Sequence, residues 1–436
     1  MSVVPISVNQ NTRIAPSYVT APQKAVIPDV SQRRMQTSFG ATSNVSYANV
    51  RTQMTQDEVV KYSELVKNLD AKERTKLNTL LKTGVLLNNN SNDKSTTLDN
   101  LYKIISEERA DGITSKVVLR DTVNILENPA VITQTFGDIP KIFVEQILQN
   151  AKPNEKAETD KITKDTINVK YSSACVSASI EYNLAKQTPA EFARFAAGLT
   201  SPKLAVEKVI DLSCLTDNKL DSLSLLDTFK VPYELIGQDK AKVILAPDKN
   251  AYVRAQIQDK YKDYWERSSV DALMQSTFMN VGSQQTYDAL TDTRAKTMSP
   301  SDKGLIEYEK TFTESIVQNK NKTSITFQNI DDNGKLTGYT QSFDKTMKNI
   351  ADSLAIGENV IVGYVYVDNN KKIVGGHEIT IVGIKTDNKG EKVFICNDTD
   401  DDKPHLIEYK VKDLLPLIHH AGLPQEVVPA DAPVQA

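Results

Sequence analysis

The chain is poor in the features that mark the easily recognised classes. It has only three cysteines, Cys175, Cys214 and Cys396, in 436 residues. An odd and sparse count excludes a disulfide framework and leaves at least one thiol free. Nowhere do eighteen apolar residues run together, and Met1 to Gln10 has neither a basic n-region nor an apolar core of signal-peptide length. The expectation is a soluble chain without a membrane span, either cytoplasmic or exported by a route that needs no signal peptide. Charge of a single sign is missing as well. The 52 basic and 56 acidic residues are mixed along the chain, so there is no nucleic-acid footprint and no polybasic membrane patch. What is present is enough apolar material, 39% of residues, to bury a core.

Residues 1–50 are rich in Ser, Thr, Asn, Gln, Pro and Val without sustained periodicity and read as disordered. From Thr55 the pattern changes. Thr55-x-x-Glu58 and Asp70-x-x-Glu73 each open an apolar-periodic run, with Val59, Val66 and Leu69 lining the first helix and Leu77, Leu80 and Leu81 the second, which Gly84 closes. Leu98, Leu101, Tyr102 and Ile105 place a third helix, and a fourth covers Val117 to Leu126. Residues 51–150 therefore read as a small helical domain. Residues 151–164, charged and containing Pro153, read as an exposed linker, and residues 424–436 as a disordered tail.

The segment 165–423 reads as the second domain. Cys175 heads an apolar-faced helix among small residues, and a helix N-terminus, with its unpaired N–H groups and positive dipole end, favours a thiolate. Thr188-Pro189-x-Glu191 opens the next helix and Ser201-Pro202 a further one, so that 200–320 reads as mainly helical. From Ser324 the period switches to two. Ser324 to Ile330 and Lys335 to Phe343 flank the turn Asp332-Asn333-Gly334, and further strands cover Val360 to Val367, His377 to Lys385, Lys392 to Cys396 and Leu406 to Val411. Helices followed by an antiparallel sheet make the fold class α+β.

Within this frame Cys175 is followed, about two hundred residues later, by Gly375-Gly376-His377-Glu378-Ile379-Thr380-Ile381-Val382-Gly383 and then Phe394-Ile395-Cys396-Asn397-Asp398. A thiolate nucleophile, an imidazole and a polar group that holds the ring are what a thiol hydrolase needs. The order and the strand context resemble the papain-like cysteine peptidases. Together with Gly357-Glu358-Asn359-Val360-Ile361-Val362-Gly363, they are most similar to the bacterial, bacteriocin-processing and staphopain-like branch. The resemblance covers roughly residues 165 to 420, in detail only from Leu354 onward. It implies a papain-like catalytic domain, a central helix with an antiparallel half-barrel, in which Cys175 is the nucleophile, His377 the general base and acid, and Asn397 or Asp398 the group that orients the ring. It implies an endopeptidase acting on protein or peptide through an acyl-thioester, without metal or organic cofactor. The family's oxyanion glutamine, about six residues before the cysteine, is replaced by Val169; Asn168 is the neighbouring candidate donor.

Other readings stand beside this one. Transglutaminase-like and arylamine acyltransferase enzymes share the Cys, His, Asp order, and a departure at the oxyanion position suits a catalytically inactive binding protein. Papain-like enzymes are commonly made with a helical segment over the cleft, so residues 51–150 could be an inhibitory prodomain removed by cutting between Ala151 and Lys164, or else a separate binding domain. Cys214 and Cys396 read as small core residues. The run Asp398, Asp400, Asp401, Asp402 lacks the spacing of a calcium loop and reads as a solvated turn, and Asn329 to Gly334 reads as a hairpin. His405 follows Pro404 in a loop. His419 and His420 are adjacent, and neighbours on a helix face different ways, so ligation of one metal by both is not expected. Substrate preference and oligomeric state are not written in the chain.

Overall fold

The computed structural model describes residues 51–136, 145–146, 172–215, 220–261, 267–295, 304–400 and 404–428. The expected disordered segment 1–50, the linker 151–164, Asn168 and Val169 lie outside them. The chain is α+β, with antiparallel sheets. Among the described residues no helix is long and apolar enough to cross a membrane.

The first two helices follow their start signals. Helix α1 (Gln56–Asn68) carries a reciprocal capping box, in which the Glu58 amide donates to Thr55 Oγ1 and the Thr55 amide to Glu58 Oε2. Such a cap contributes about 1 kcal/mol. At α2 (Ala71–Lys82) only half of the expected box forms: the Asp70 carboxylate accepts from the amides of Lys72 and Glu73. Gly84 then turns the chain at a φ of +76°. Helices α3 (Thr97–Ser106) and α4 (Ser115–Glu127) complete the group. One inward position is corrected. Val59 is exposed, and Leu65 with Leu69 carries the buried face of α1 instead.

Helix α5 (Cys175–Gln187) is buried on all sides from Cys175 to Ala185, which is why its sequence shows little amphipathic contrast. Helix α6 (Pro189–Leu199) begins with the expected proline, but Thr188 gives it no side-chain cap. The Thr188 hydroxyl turns back to Leu184 O, and Glu191 is taken by Arg194 and Lys208.

The helical reading of 200–320 is only half right. After Ser201 the chain turns into strand β1 (Val206–Asp211), which pairs with β3 (Lys240–Leu245), and β3 pairs with β2 (Tyr233–Leu235). Val206, Lys208 and Ile210 alternate inward, so a period of two wins over the proline start signal. Helices α7 (Ser222–Thr228), α8 (Ala251–Tyr261), α9 (Ser269–Gly282) and α10 (Glu307–Gln318) fill the rest.

The main sheet has six antiparallel strands in the order β10-β9-β8-β7-β11-β4. They are β4 (Lys322–Thr326), β7 (Val360–Val367), β8 (Ile373–Thr386), β9 (Lys392–Asn397), β10 (Ile407–Lys410) and β11 (Ile418–Pro424). A small hairpin, β5 (Gln328–Ile330) with β6 (Leu336–Tyr339), stands apart from it. Its turn forms where expected, with Asp331 Oδ1 accepting from the amides of Asn333 and Lys335, but of its residues only Gly334 has a positive φ, +75°, whereas the type I′ turn expected for Asp332-Asn333-Gly334 needs two. The strand expected to run to Phe343 stops at Tyr339, because Ser342 caps α11 (Phe343–Ala355). The chain from Ile418 onward is also corrected: β11 sits between β7 and β4, and its last residue, Pro424, was expected to begin the tail.

Two apolar cores result. One lies between the main sheet, α11 and the segment 414–415, and includes Ile325, Ile350, Val362, Ile379, Phe394 and Leu423. The larger runs without interruption from Leu65, Leu101 and Val118 through α5 and α6 to Phe278, Phe312 and Ile361. Polar ties cross the same contact. Asn90 Nδ2 donates to Gln187 O at 3.0 Å, Arg109 Nη1 to Ala197 O at 2.6 Å and Thr114 Oγ1 to Asp259 Oδ2 at 2.8 Å.

Candidate active site

The approach to Cys175 is held by buried polar contacts on both sides. The amide and hydroxyl of Ser173 both donate to Asp292 Oδ2 at 2.9 Å. Ser172 Oγ donates to Gln134 O at 2.7 Å and accepts from the Ala174 amide and from Arg267. These contacts set the first turn of α5, and Ala174 gives that turn no side-chain cap. Its amides therefore stay available beside the thiol, where the helix dipole favours negative charge. Cys175 itself is 7% exposed.

His377 reaches the same place from the middle of β8. Tyr364, its partner on β7, stands edge-on to the imidazole with ring centroids 5.8 Å apart. Nε2 of His377 lies 2.8 Å from Asp398 Oδ1. Asp398 is in turn held by the Tyr409 hydroxyl, which donates to Oδ2 at 2.8 Å, and by the Asp400 amide at 3.1 Å. With Nε2 given to Asp398, Nδ1 is the nitrogen left for the thiol.

The electrostatics follow. Burial disfavours the imidazolium, but Asp398, by charge and hydrogen bond, and then Cys175 outweigh it and hold His377 well above its ordinary value. Burial would likewise raise Asp398, yet His377 and the Tyr409 hydroxyl hold it below the usual carboxylate range. A carboxylate, an imidazole poised to be charged and a thiol at a helix N-terminus are the components of a thiolate–imidazolium pair.

Of the two residues expected to orient the ring, Asp398 makes the bond. Asn397 is the last residue of β9, paired with Thr380 and 1% exposed, and it forms no hydrogen bond to His377. Strand alternation sends the two side chains to different sides, which sequence alone could not assign without the end of the strand. Asp398 is thus no part of a solvated turn. Asn168 lies outside the described residues.

A residue that the sequence reading missed is Gln134. Its amide donates to Thr399 O at 3.0 Å, its Oε1 accepts from the Thr399 hydroxyl at 3.2 Å, and its Nε2 lies 3.4 Å from both Ser172 O and Asp400 Oδ1. It bridges the strand end that carries Asp398 and the segment that leads into Cys175. Two contacts at the limit of hydrogen-bond length leave its amide donors free to shorten onto a third acceptor. Its place far upstream of Cys175 explains why counting back from the cysteine led to Val169 and Asn168.

No protein-family model matches the chain, and no curated protein matches it. The site is therefore read on its own geometry.

The other candidates fall elsewhere. Cys214 and Cys396 are buried; burial pushes the Cys214 thiol up to about 12, and burial followed by Asp398 raises Cys396 well above its ordinary value. His405 is exposed in a loop. The expectation for His419 and His420 is corrected. They sit on a strand rather than a helix, at a bulge in the pairing of β11 with β7, and both turn toward Glu307. The extra residue of a bulge is what lets neighbours converge.

Proposed function

We propose that the chain is a cysteine-type endopeptidase of papain-like kind, with Cys175, His377 and Asp398 as its triad. The observation that carries this reading is the His377–Asp398 bond of 2.8 Å, on a histidine whose pKa is raised by that carboxylate and by Cys175. Cys175 as thiolate attacks the scissile carbonyl carbon and negative charge moves to the carbonyl oxygen. His377 gives its proton to the leaving nitrogen as the C–N bond breaks, leaving an acyl-thioester. It then takes a proton from water, which attacks the thioester and releases the acid. Gln134 Nε2, with the first-turn amides of α5, is the candidate donor set for the oxyanion. That role answers the departure at Val169, which had favoured an inactive binding protein. The continuous core supports a reading in which the first helices stay with the catalytic unit rather than leave as a prodomain.

A second reading rests on one observation. An aspartate, not an asparagine, holds the histidine, and this also fits transglutaminase-like and arylamine acyltransferase chemistry, in which an amine replaces water.

The deciding experiment alkylates the native protein with an iodoacetamide probe across roughly pH 5 to 9, beside Cys175→Ala and His377→Ala. Fast labelling confined to Cys175 and dependent on His377 is expected. Slow labelling of all three cysteines, with an ordinary thiol titration, would sink the proposal. Incubation with a protein substrate and a labelled amine then separates the two chemistries: new N-termini mean hydrolysis, and a labelled product means transfer.

A further inference from the structure

On the sheet face opposite His377 lies a second group of titratable side chains that the proposed mechanism does not use. Glu307, at the first position of α10, and the neighbours His419 and His420 on β11 place one ligand atom each within 4.8 Å of one another. His419 Nε2 is 2.8 Å and His420 Nδ1 3.4 Å from the same oxygen, Glu307 Oε1. A tetrahedral zinc ion with bonds of ~2.0–2.2 Å sets its ligand atoms roughly 3.3 Å apart, so these separations need only small adjustment.

The surroundings have the form that a metal site takes. A metal-bound histidine commonly turns its other nitrogen to a carboxylate, which fixes the ring and strengthens the ligand. Here His420 Nε2 lies 2.7 Å from Glu378 Oε1, although the two are not aligned as a hydrogen bond. Glu378 follows His377 on β8, so strand alternation sends it to the opposite face. Lys310 approaches its second oxygen at 3.4 Å, and the Thr326 hydroxyl donates to Glu307 Oε2 at 3.0 Å. Gly363 is what permits the approach. A Cβ there would stand 2.3 Å from His420 Cε1 and 2.4 Å from Glu378 Oε1.

A further observation points to a ligand. His420 is fully buried, and neither its Nδ1, 3.4 Å from Glu307 Oε1, nor its Nε2 makes an aligned hydrogen bond. Buried polar atoms left without a partner are costly to the fold. Glu307 and His419 keep some exposure, which gives an ion a way in.

We propose that Glu307, His419 and His420 bind one divalent transition-metal ion, zinc by the chemistry of two imidazoles and a carboxylate, with Glu378 as the carboxylate behind His420. Binding displaces the protons shared between the imidazoles and Glu307. The ion ties the start of α10 to β11 and so braces the sheet from the face opposite His377. Its role is structural.

The test titrates zinc alone into full-length Cys175→Ser protein freed of metal by a chelator; the background removes the thiol–imidazole pair as a competing site. One equivalent is expected, with a rise in melting temperature. Glu307→Gln and His419→Ala should each weaken binding more than about 10-fold, and Glu378→Gln by about 10- to 100-fold. Cobalt alone should give visible bands of a nitrogen and oxygen ligand set. Glu307→Gln nearly conserves shape, so it keeps the test decisive if His419→Ala fails to fold by circular dichroism. No uptake at millimolar zinc, or uptake unchanged in the folded variants, would overturn the site and assign the cluster to a proton shared among its imidazoles and carboxylates.

Discussion

Replacing Asp398 by Asn separates charge from shape at His377. The amide keeps an oxygen able to accept from His377 Nε2 across the present 2.8 Å contact, but the negative charge is gone. With charge centres about 4 Å apart and an effective dielectric of about 20, the lost attraction is about 4 kcal/mol. That corresponds to a fall of about 3 pH units in the histidine. The Tyr409 hydroxyl and the Asp400 amide, which now support the carboxylate, would face a neutral group and add nothing against this loss. The assay is the pH dependence of kcat/KM on a peptide substrate. Its alkaline limb reports loss of the His377 proton, and it should move down by about 2 to 3 units in Asp398→Asn. Asn397→Ala should leave the limb where it is. A limb that stays put in Asp398→Asn, or that moves in Asn397→Ala, would refute the assignment of the orienting charge.

Three further outcomes follow from the same structure. Gln134→Ala should lower kcat by about 10²- to 10³-fold, while probe alkylation of Cys175, which forms no oxyanion, keeps its rate; equal losses in both would mean that Gln134 only supports the local fold. A chain beginning at Asp165 should be inactive and poorly folded by circular dichroism and thermal melting. It lacks Gln134 and uncovers the apolar partners of Leu101 and Val118, and higher activity than full-length protein would restore the prodomain reading. The His377–Asp398 pair adds two opposite shifts to the pH dependence of stability. Asp398, lowered on folding, contributes above its unfolded value of about 3.9 and loses this as pH falls through the lowered one; His377, raised, contributes fully below about 6.5 and loses this as pH rises through the raised one. The difference in melting temperature between Cys175→Ala protein and the same protein with Asp398→Asn should therefore hold a plateau between about pH 4 and 6.5 and shrink on either side.

Much of the local structure was legible because short-range rules govern it. The caps at Thr55 and Asp70, the glycine turns and the alternation in β7, β8 and β9 depend on residues a few positions apart. The same rules failed at Ser201-Pro202 and at Lys335 to Phe343, where a start signal and a period of two pointed in different directions. At β1 burial against α6 and β3 decided for the strand; at Phe343 the Ser342 cap decided for the helix.

The sequence by itself determined the chemical parts: one thiol placed to head a helix, a histidine on an alternating strand, and a polar pair at the end of the next strand. These depend on residue type and local period. Which of the pair holds the ring, how Gln134 comes to bridge the Asp398 strand end and the segment before Cys175, and why two adjacent histidines meet one glutamate were decided only by tertiary structure. Gln134 reaches the site because the first helices share a core with α5. His419 and His420 converge because a bulge beside Gly363 shifts the register of β11. Contacts of that kind join residues tens to hundreds of positions apart, and no spacing rule along the chain records them.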